Sequence, residues 1–342
     1  MKLICLEEHI LDPATAGASM PAALKAAPFL PGWGSTVKDG NNPDRSRPQV
    51  IANTDSTRKG MDWEQERLAD MDAAGVDMQV LSLGGFPQFA PAEQELSLAQ
   101  AANDRLAATV AARPTRFAAF ATLPWSQPAL AVKELERAVQ QLGLKGALIN
   151  GRPAEGFLDA PEYAGLLAAF DALDVLLYLH PGIPVPAVQQ AYYGGFSAEL
   201  TARLSMFGWG WHNEAGIHLL RLILSGAFDR NPKLQVISGH WGEMLPFYLQ
   251  RLDDSIPQEA SGLARSITQT FREQVWVTPS GMLTLPHFRF IHDLMGAERI
   301  LYSLDYPYQS LDGARAFIDS LPVPDTEKAM IAHGNAERLL KL

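Results

Sequence analysis

LICLEEHI (residues 3–10) begins as a short apolar run of the kind that makes a buried strand, and ends in two acids and a histidine. A doubly wound open sheet usually places a glycine-rich phosphate loop after its first strand. No GxGxxG or Walker motif follows this one. Polar residues at a strand end are what a (β/α)8 barrel uses for its chemistry. Seven further β-rich runs occur: MQVLSL (78–83), FAAFATL (117–123), GALING (146–151), VLLYLH (175–180), LQVISGH (234–240), VWVTPSG (275–281) and ILYSLDY (300–306). Between runs, helical periodicity marks residues 62–75, 96–114, 129–143, 160–173 and 213–228. Eight strands alternating with helices predict an α/β chain folded as one closed (β/α)8 barrel, with residues 1–342 in a single domain.

Two long segments interrupt the repeat. Residues 11–60 are rich in Pro, Gly, Ala and Asn, and residues 181–211 contain PGIPVPA and FGWGW. They follow strands 1 and 5, and long loops in compact folds usually serve function. Both are read as walls or lids of an active site.

Composition removes several classes of function. The net charge of −10 leaves no broad basic face for nucleic acid, whose binding rests on neutralising phosphates. An apolar fraction of 47% and a charged fraction of 19% describe a globular chain with a large core. The single cysteine, Cys5, cannot form an intramolecular disulfide. No apolar stretch approaches 18 residues, and the N-terminus lacks the pattern of a secretion signal, so a cytoplasmic protein with no membrane partner is expected. No nucleotide fingerprint occurs, and no organic cofactor is expected.

Four of the eight runs end in good metal ligands: Glu7 and His9 on strand 1, His180 on strand 5, His240 on strand 6 and Asp305 on strand 8. Side chains alternate along a strand, so Glu7 and His9 share a face and Glu8 takes the other. One anionic oxygen and one imidazole nitrogen on a common face suit a borderline divalent metal. Each residue also has a plain structural use: a hydrogen-bonded histidine, Glu7 paired with an arginine, Asp305 capping a turn in LDYP. Several ionisable groups at one barrel mouth cost several kcal/mol each unless they are paired or coordinated, which favours the metal reading. Strand 4 has its lysine, Lys145, at its start and Asn150 at its end, so no carboxylated lysine bridges two ions and one metal is expected. GHWGEMLPF (239–247) places Glu243 in the expected first turn of the next helix, where the helix dipole favours a carboxylate that orients His240 for proton transfer. Arg251 is expected two turns further on, where an ordinary surface arginine is the alternative.

At this point the chain resembles the amidohydrolase superfamily, in the metal-dependent branch of γ-resorcylate, 2,3-dihydroxybenzoate and 5-carboxyvanillate decarboxylases. The resemblance is carried by LEEH, RLADMDAAGVDMQVLSL (67–83), RPTRFAAFATLP (113–124), GALING, YLHPG (178–182), ISGHWGEMLPF (237–247), SLDYP (303–307) and GNAERLLKL (334–342). It implies Glu7, His9, His180 and Asp305 as ligands of one divalent ion, Mn, Zn or Mg. His240 and Glu243 become proton carriers beside it, and Arg251 lies near the active site of the same or a neighbouring subunit in a homodimer or homotetramer. Resorcylate-type members tend to carry an arginine after the His-Pro of strand 5, where this chain has Gly182, and FGWGWHNE (207–214) differs in its aromatics.

The expected activity is non-oxidative decarboxylation of an ortho-hydroxylated aromatic carboxylic acid. Asp305 would protonate the ring carbon, His240 oriented by Glu243 would reload it, and Phe207, Trp209 and Trp211 would wall the ring. The same ligands also suit hydrolysis of a lactone or amide, with Asp305 as general base to a metal-bound water. A non-catalytic metal or small-molecule sensor is the third reading.

Overall fold

Parallel strands bury both faces, which is why the eight runs read as near-continuous apolar segments. The computed structural model describes residues 1–40, 43–152 and 156–342. In it β1 (Ile4–Ile10), β2 (Met78–Leu83) and β3 (Phe117–Ala119) form one parallel sheet, and β4 (Gly146–Asn150), β5 (Leu176–His180), β6 (Gln235–Ser238) and β7 (Val275–Val277) form another. Parallel bridges from Ala121 to Ala147, from Val277 to Ile300 and from Leu6 to Ser303 join the two sheets on both sides. The eighth run therefore closes the barrel without forming a regular strand. Leu301 N donates to Val277 O (2.9 Å) and Leu6 N to Tyr302 O (2.8 Å).

Alternation along the strands divides the core in two. Ile4, Leu6, Val80, Phe120, Leu148, Tyr178, Ile237 and Trp276 fill the barrel, while residues such as Leu81, Leu135, Ile149, Leu177, Val236 and Phe271 pack between barrel and helices. In β1, strict alternation from Ile4 and Leu6 would send Glu8 inward and Glu7 and His9 outward. A bulge prevents this. Cys5 pairs with Gln79 and Glu8 with Leu81, so β1 carries one extra residue, and Glu7 takes a left-handed φ of 62°. Beyond the bulge Glu7 and His9 face the barrel mouth, and Glu8 faces the outer layer.

That outer layer receives Glu8 with a fixed cation. Arg67, fully buried on the helix Gln65–Ala74, donates to Gln79 Oε1 (2.8 Å) and His9 O (2.5 Å) and stacks over Tyr306 at 4.7 Å. Gln79 Nε2 donates on to Glu8 Oε2 (3.2 Å), and Leu304 N donates to Glu8 Oε1 (2.9 Å).

The five helical segments appear near their expected places, as Gln65–Ala74, Ala92–Ala112, Pro128–Gln140, Ala164–Leu173 and Gly210–Leu224. The segment expected to be loop at 11–60 contains the helices Pro13–Ala26 and Asn53–Met61, and that at 181–211 contains Ala198–Ser205. Residues 41 and 42 of the first lie outside the described residues. Its proline content hid a helix that Pro13 starts and the Asp12 carboxylate caps through Thr15 N (2.9 Å). Among the described residues no helix is long and apolar enough to cross a membrane.

Candidate functional site

Glu7 and His9 at the end of β1, His180 at the end of β5 and Asp305 after the eighth run each bring a ligand atom within 4.8 Å of the others. His9 Nε2 lies 3.3 Å from Asp305 Oδ1, and His180 Nε2 lies 3.7 Å from Glu7 Oε1. The orientations are held from behind. His180 Nδ1 is 2.8 Å from the Pro181 carbonyl, which only accepts, so Nδ1 carries the hydrogen and the Nε2 lone pair faces the cluster. His9 Nδ1 is 3.1 Å from Ser82 Oγ. Glu7 Oε2 accepts from Tyr178 OH (2.5 Å), Ser303 Oγ (3.3 Å) and Ser280 Oγ.

The two atoms left over test whether a metal fits. Glu7 Oε1 and His9 Nε2 are buried and have no hydrogen-bond partner. Unpartnered buried polar atoms are costly, and a carboxylate oxygen and an imidazole nitrogen within 4.8 Å of each other fit a divalent ion of the zinc or manganese type. Burial pushes the His180 imidazolium well down, helped by His9 and His240, which leaves the neutral ring a metal needs. Burial raises the Glu7 carboxyl, with His240 opposing it. Lys145 stands at the far end of β4 and donates to Lys341 O (3.3 Å), away from this cluster.

A second group adjoins the first. His240 Nδ1 lies 2.6 Å from Glu243 Oε1, and His212 Nδ1 lies 3.0 Å from Glu243 Oε2. The helix expected to begin at Glu243 is absent. His240, Trp241, Gly242, Glu243 and Met244 all have positive φ, and a regular α-helix resumes only at Leu249–Ser255. Glu243 is therefore held by its two imidazoles and not by a helix dipole. Burial raises its carboxyl, but His240 and then His212 bring it below the usual range. Burial lowers the His240 imidazolium, yet Glu243, Glu7 and Asp305 outweigh this and hold it up at about 10. Left-handed backbone at a non-glycine residue costs about 1–3 kcal/mol, and the positive φ at Glu7, His240, Glu243, Ser280 and Asp305 gathers that cost around one site.

Sequence reasoning missed His212, Tyr178, Ser280 and Ser303. The parity that selected Glu7 could have pointed to Tyr178, which faces the barrel two residues before His180. His212 left no such trace, because it meets Glu243 across 31 positions of sequence.

On the open side, Trp211 is buried edge-on to His180, with ring centroids 5.7 Å apart, and Phe207 packs on Trp211 at 4.9 Å. Trp209 is 49% exposed and makes no ring contact with this group. Arg251 is exposed on the helix Leu249–Ser255. Gly182 has no room for a side chain, since a Cβ would stand 2.2 Å from Gly151 Cα. The two long segments fasten to each other. Glu199 accepts from Gly34 N, Ser35 Oγ and Thr36 N, Arg203 donates to Asp39, and Trp33 packs edge-on to Phe207 at 4.9 Å.

A family described as amidohydrolase matches residues 27–342. The chain is 34% identical to a gamma-resorcylate decarboxylase of Polaromonas sp., with 99% of this chain and 98% of that protein covered. Among solved structures, a dihydroxybenzoic acid decarboxylase from Polaromonas sp. with bound manganese and the inhibitor 2-nitroresorcinol superposes with a TM-score of 0.83 at 31% identity, covering 100% of this chain and 97% of that one. A 5-carboxyvanillate decarboxylase from Sphingomonas paucimobilis superposes with a TM-score of 0.82 at 32% identity, covering 100% and 99%.

Proposed function

Because this chain belongs to the amidohydrolase family, we propose that it is a carboxy-lyase that uses one divalent metal, Mn, Zn or Mg, to release CO2 from an ortho-hydroxylated aromatic carboxylic acid. One juxtaposition supports the reading most: the cation-seeking pair Glu7 Oε1 and His9 Nε2 shares the barrel mouth with a His240–Glu243 pair 2.6 Å apart. A metal held by Glu7, His9, His180 and Asp305 would supply Lewis-acid polarisation and a template for the substrate's carboxylate and adjacent hydroxyl. The chain's own residues supply the proton. Asp305 donates to the ring carbon that bears the carboxylate, the ring–carboxylate bond breaks with its electron pair returning to the ring, and CO2 leaves. His240, held in line by Glu243, returns a proton to Asp305. Trp211 and Phe207 form the wall on which the ring rests, with Trp209 at its rim.

Each turnover takes up one proton, and this separates the reading from hydrolysis. A panel of hydroxybenzoates assayed in D2O with Mn or Zn should release CO2 and place deuterium on the vacated ring carbon. Release of no CO2, or entry of solvent oxygen into the product, would exclude it. Chelation should abolish turnover, and added Mn or Zn should restore it.

The pH dependence follows from His240. Against burial, Glu243, Glu7 and Asp305 hold its imidazolium up at about 10 before a metal is bound, and a metal on Glu7 and Asp305 would weaken their share and leave Glu243 as the group that keeps the proton. CO2 release should decline on the alkaline side as that proton is lost, and a metal-loaded enzyme with no alkaline decline in rate would remove His240 from the proton path. We assign the enzyme to the cytoplasm as a homodimer or homotetramer. Arg251 stands exposed on the same turn of chain as the exposed Phe247 and Tyr248, so it would meet substrate across a subunit contact. A monomeric native mass in an active preparation would rule that contact out.

A further inference from the structure

We propose that His212 is a positioning residue for the reaction: by donating from Nδ1 to Glu243 Oε2 it leaves Oε1 for His240 Nδ1, and so makes His240 present Nε2 to the reacting centre. This rests on the proton-carrying role given above to His240 and Glu243.

A carboxylate with one partner is free to rotate about its last bond and to offer either oxygen. Glu243 has an imidazole on each oxygen, at 2.6 Å and 3.0 Å, and the two rings lie 4.2 Å apart at a tilt of 57°. With both oxygens engaged, rotation would break two charge-assisted bonds together. His212 is itself anchored at its other end, where Nε2 lies 3.1 Å from the Phe207 carbonyl. Both of its ring nitrogens face acceptors, which holds the ring's orientation, and the tautomer with hydrogen on Nδ1 is the donor toward Glu243.

The backbone fixes the partner's distance. His212 lies on the helix Gly210–Leu224, and Gly216, four residues on and therefore on the same face, presses against the strained turn: a Cβ there would stand 2.5 Å from Glu243 O. Glu243 φ is 52°, a conformation the sequence does not favour by itself. Helix and turn are held together at Gly216, and His212 uses that fixed spacing to reach the carboxylate. Its side chain is 20% exposed against 9% for His240 and 1% for Glu243, so it is the outermost of the three.

The test separates a hydrogen-bond donor from mere bulk. In Asn the amide nitrogen lies as many bonds from Cα as His Nδ1 does, whereas in Gln it lies one further out. His212→Asn should keep kcat within about threefold of the parent, and His212→Leu should lose about 10–100-fold in kcat, with KM and metal content unchanged in both. Should H212L fail to fold, His212→Gln supplies the contrast and should be slow where H212N is active. A normal kcat in H212L, or equal losses in H212N and H212L, would overturn the proposal. His240→Asn tells which assignment has failed. A fully active H240N sinks the proton path as a whole, while an inactive H240N beside a normal H212L sinks the role of His212 alone.

Discussion

Asp305→Asn is expected to lower CO2 release by about 10³-fold or more while leaving the protein folded. The substitution keeps shape and backbone, because Asp305 has a φ of 63° and Asn is among the residues that tolerate a left-handed conformation. It removes the only carboxyl at the end of the eighth run that faces His9, at 3.3 Å. General acid catalysis contributes about 10²–10⁴-fold, and the loss of one of four candidate ligands adds to that. The measurement is kcat at saturating manganese with metal content determined on the same sample. A variant that binds metal and turns over at the parental rate would end the assignment of Asp305 as the acid.

Glu7→Gln should be as damaging for a different reason. Three hydroxyls, from Tyr178, Ser280 and Ser303, already donate to Oε2, so the amide oxygen must take that side and the NH2 must face His9 and His180. A donor then stands where an anionic ligand is needed. Metal affinity should fall by more than about 100-fold, beyond what loss of an outer hydrogen-bond partner costs, and elemental analysis after dialysis should find the variant empty. Glu8→Gln is the matched control. It touches Arg67's side of the barrel wall, so it should retain metal and lose stability instead. Equal metal retention in the two variants would show that the wrong acid had been selected.

The fold was readable because parallel barrel strands announce themselves as apolar runs and the polar residues sit at their ends. Two details were not. Alternation correctly joined Glu7 to His9, but it carries no information about which face is inward, and counting from Ile4 and Leu6 would have chosen Glu8. The bulge at Glu7 decides this, and no residue type there signals it, since glutamate has no preference for a positive φ. The turn at 240–244 was missed for a related reason: a short polar stretch before LPFYLQRL resembles a helix start, and five successive left-handed residues have no pattern of their own. Long-range partners were the remaining gap. His212 and Glu243 meet only through tertiary packing, whereas Glu7, His9, His180 and Asp305 each stand at the end of an apolar run that can be seen in isolation.

The bulge in β1 also sets two acids on opposite sides of one barrel wall, Glu8 with both oxygens engaged and Glu7 with one left over. Glu8 is tied through Gln79 to Arg67, which is covalently part of the chain and arrives with folding, although burial outweighs that cation and raises the Glu8 carboxyl. Glu7, one residue earlier, has the His240 and His9 imidazoles opposing its burial and one oxygen left without a partner. The strand end is thus complete on one side and open on the other. Folding completes the outer side, whereas under the proposed function the inner side would be completed by the ion that Glu7 and His9 take up.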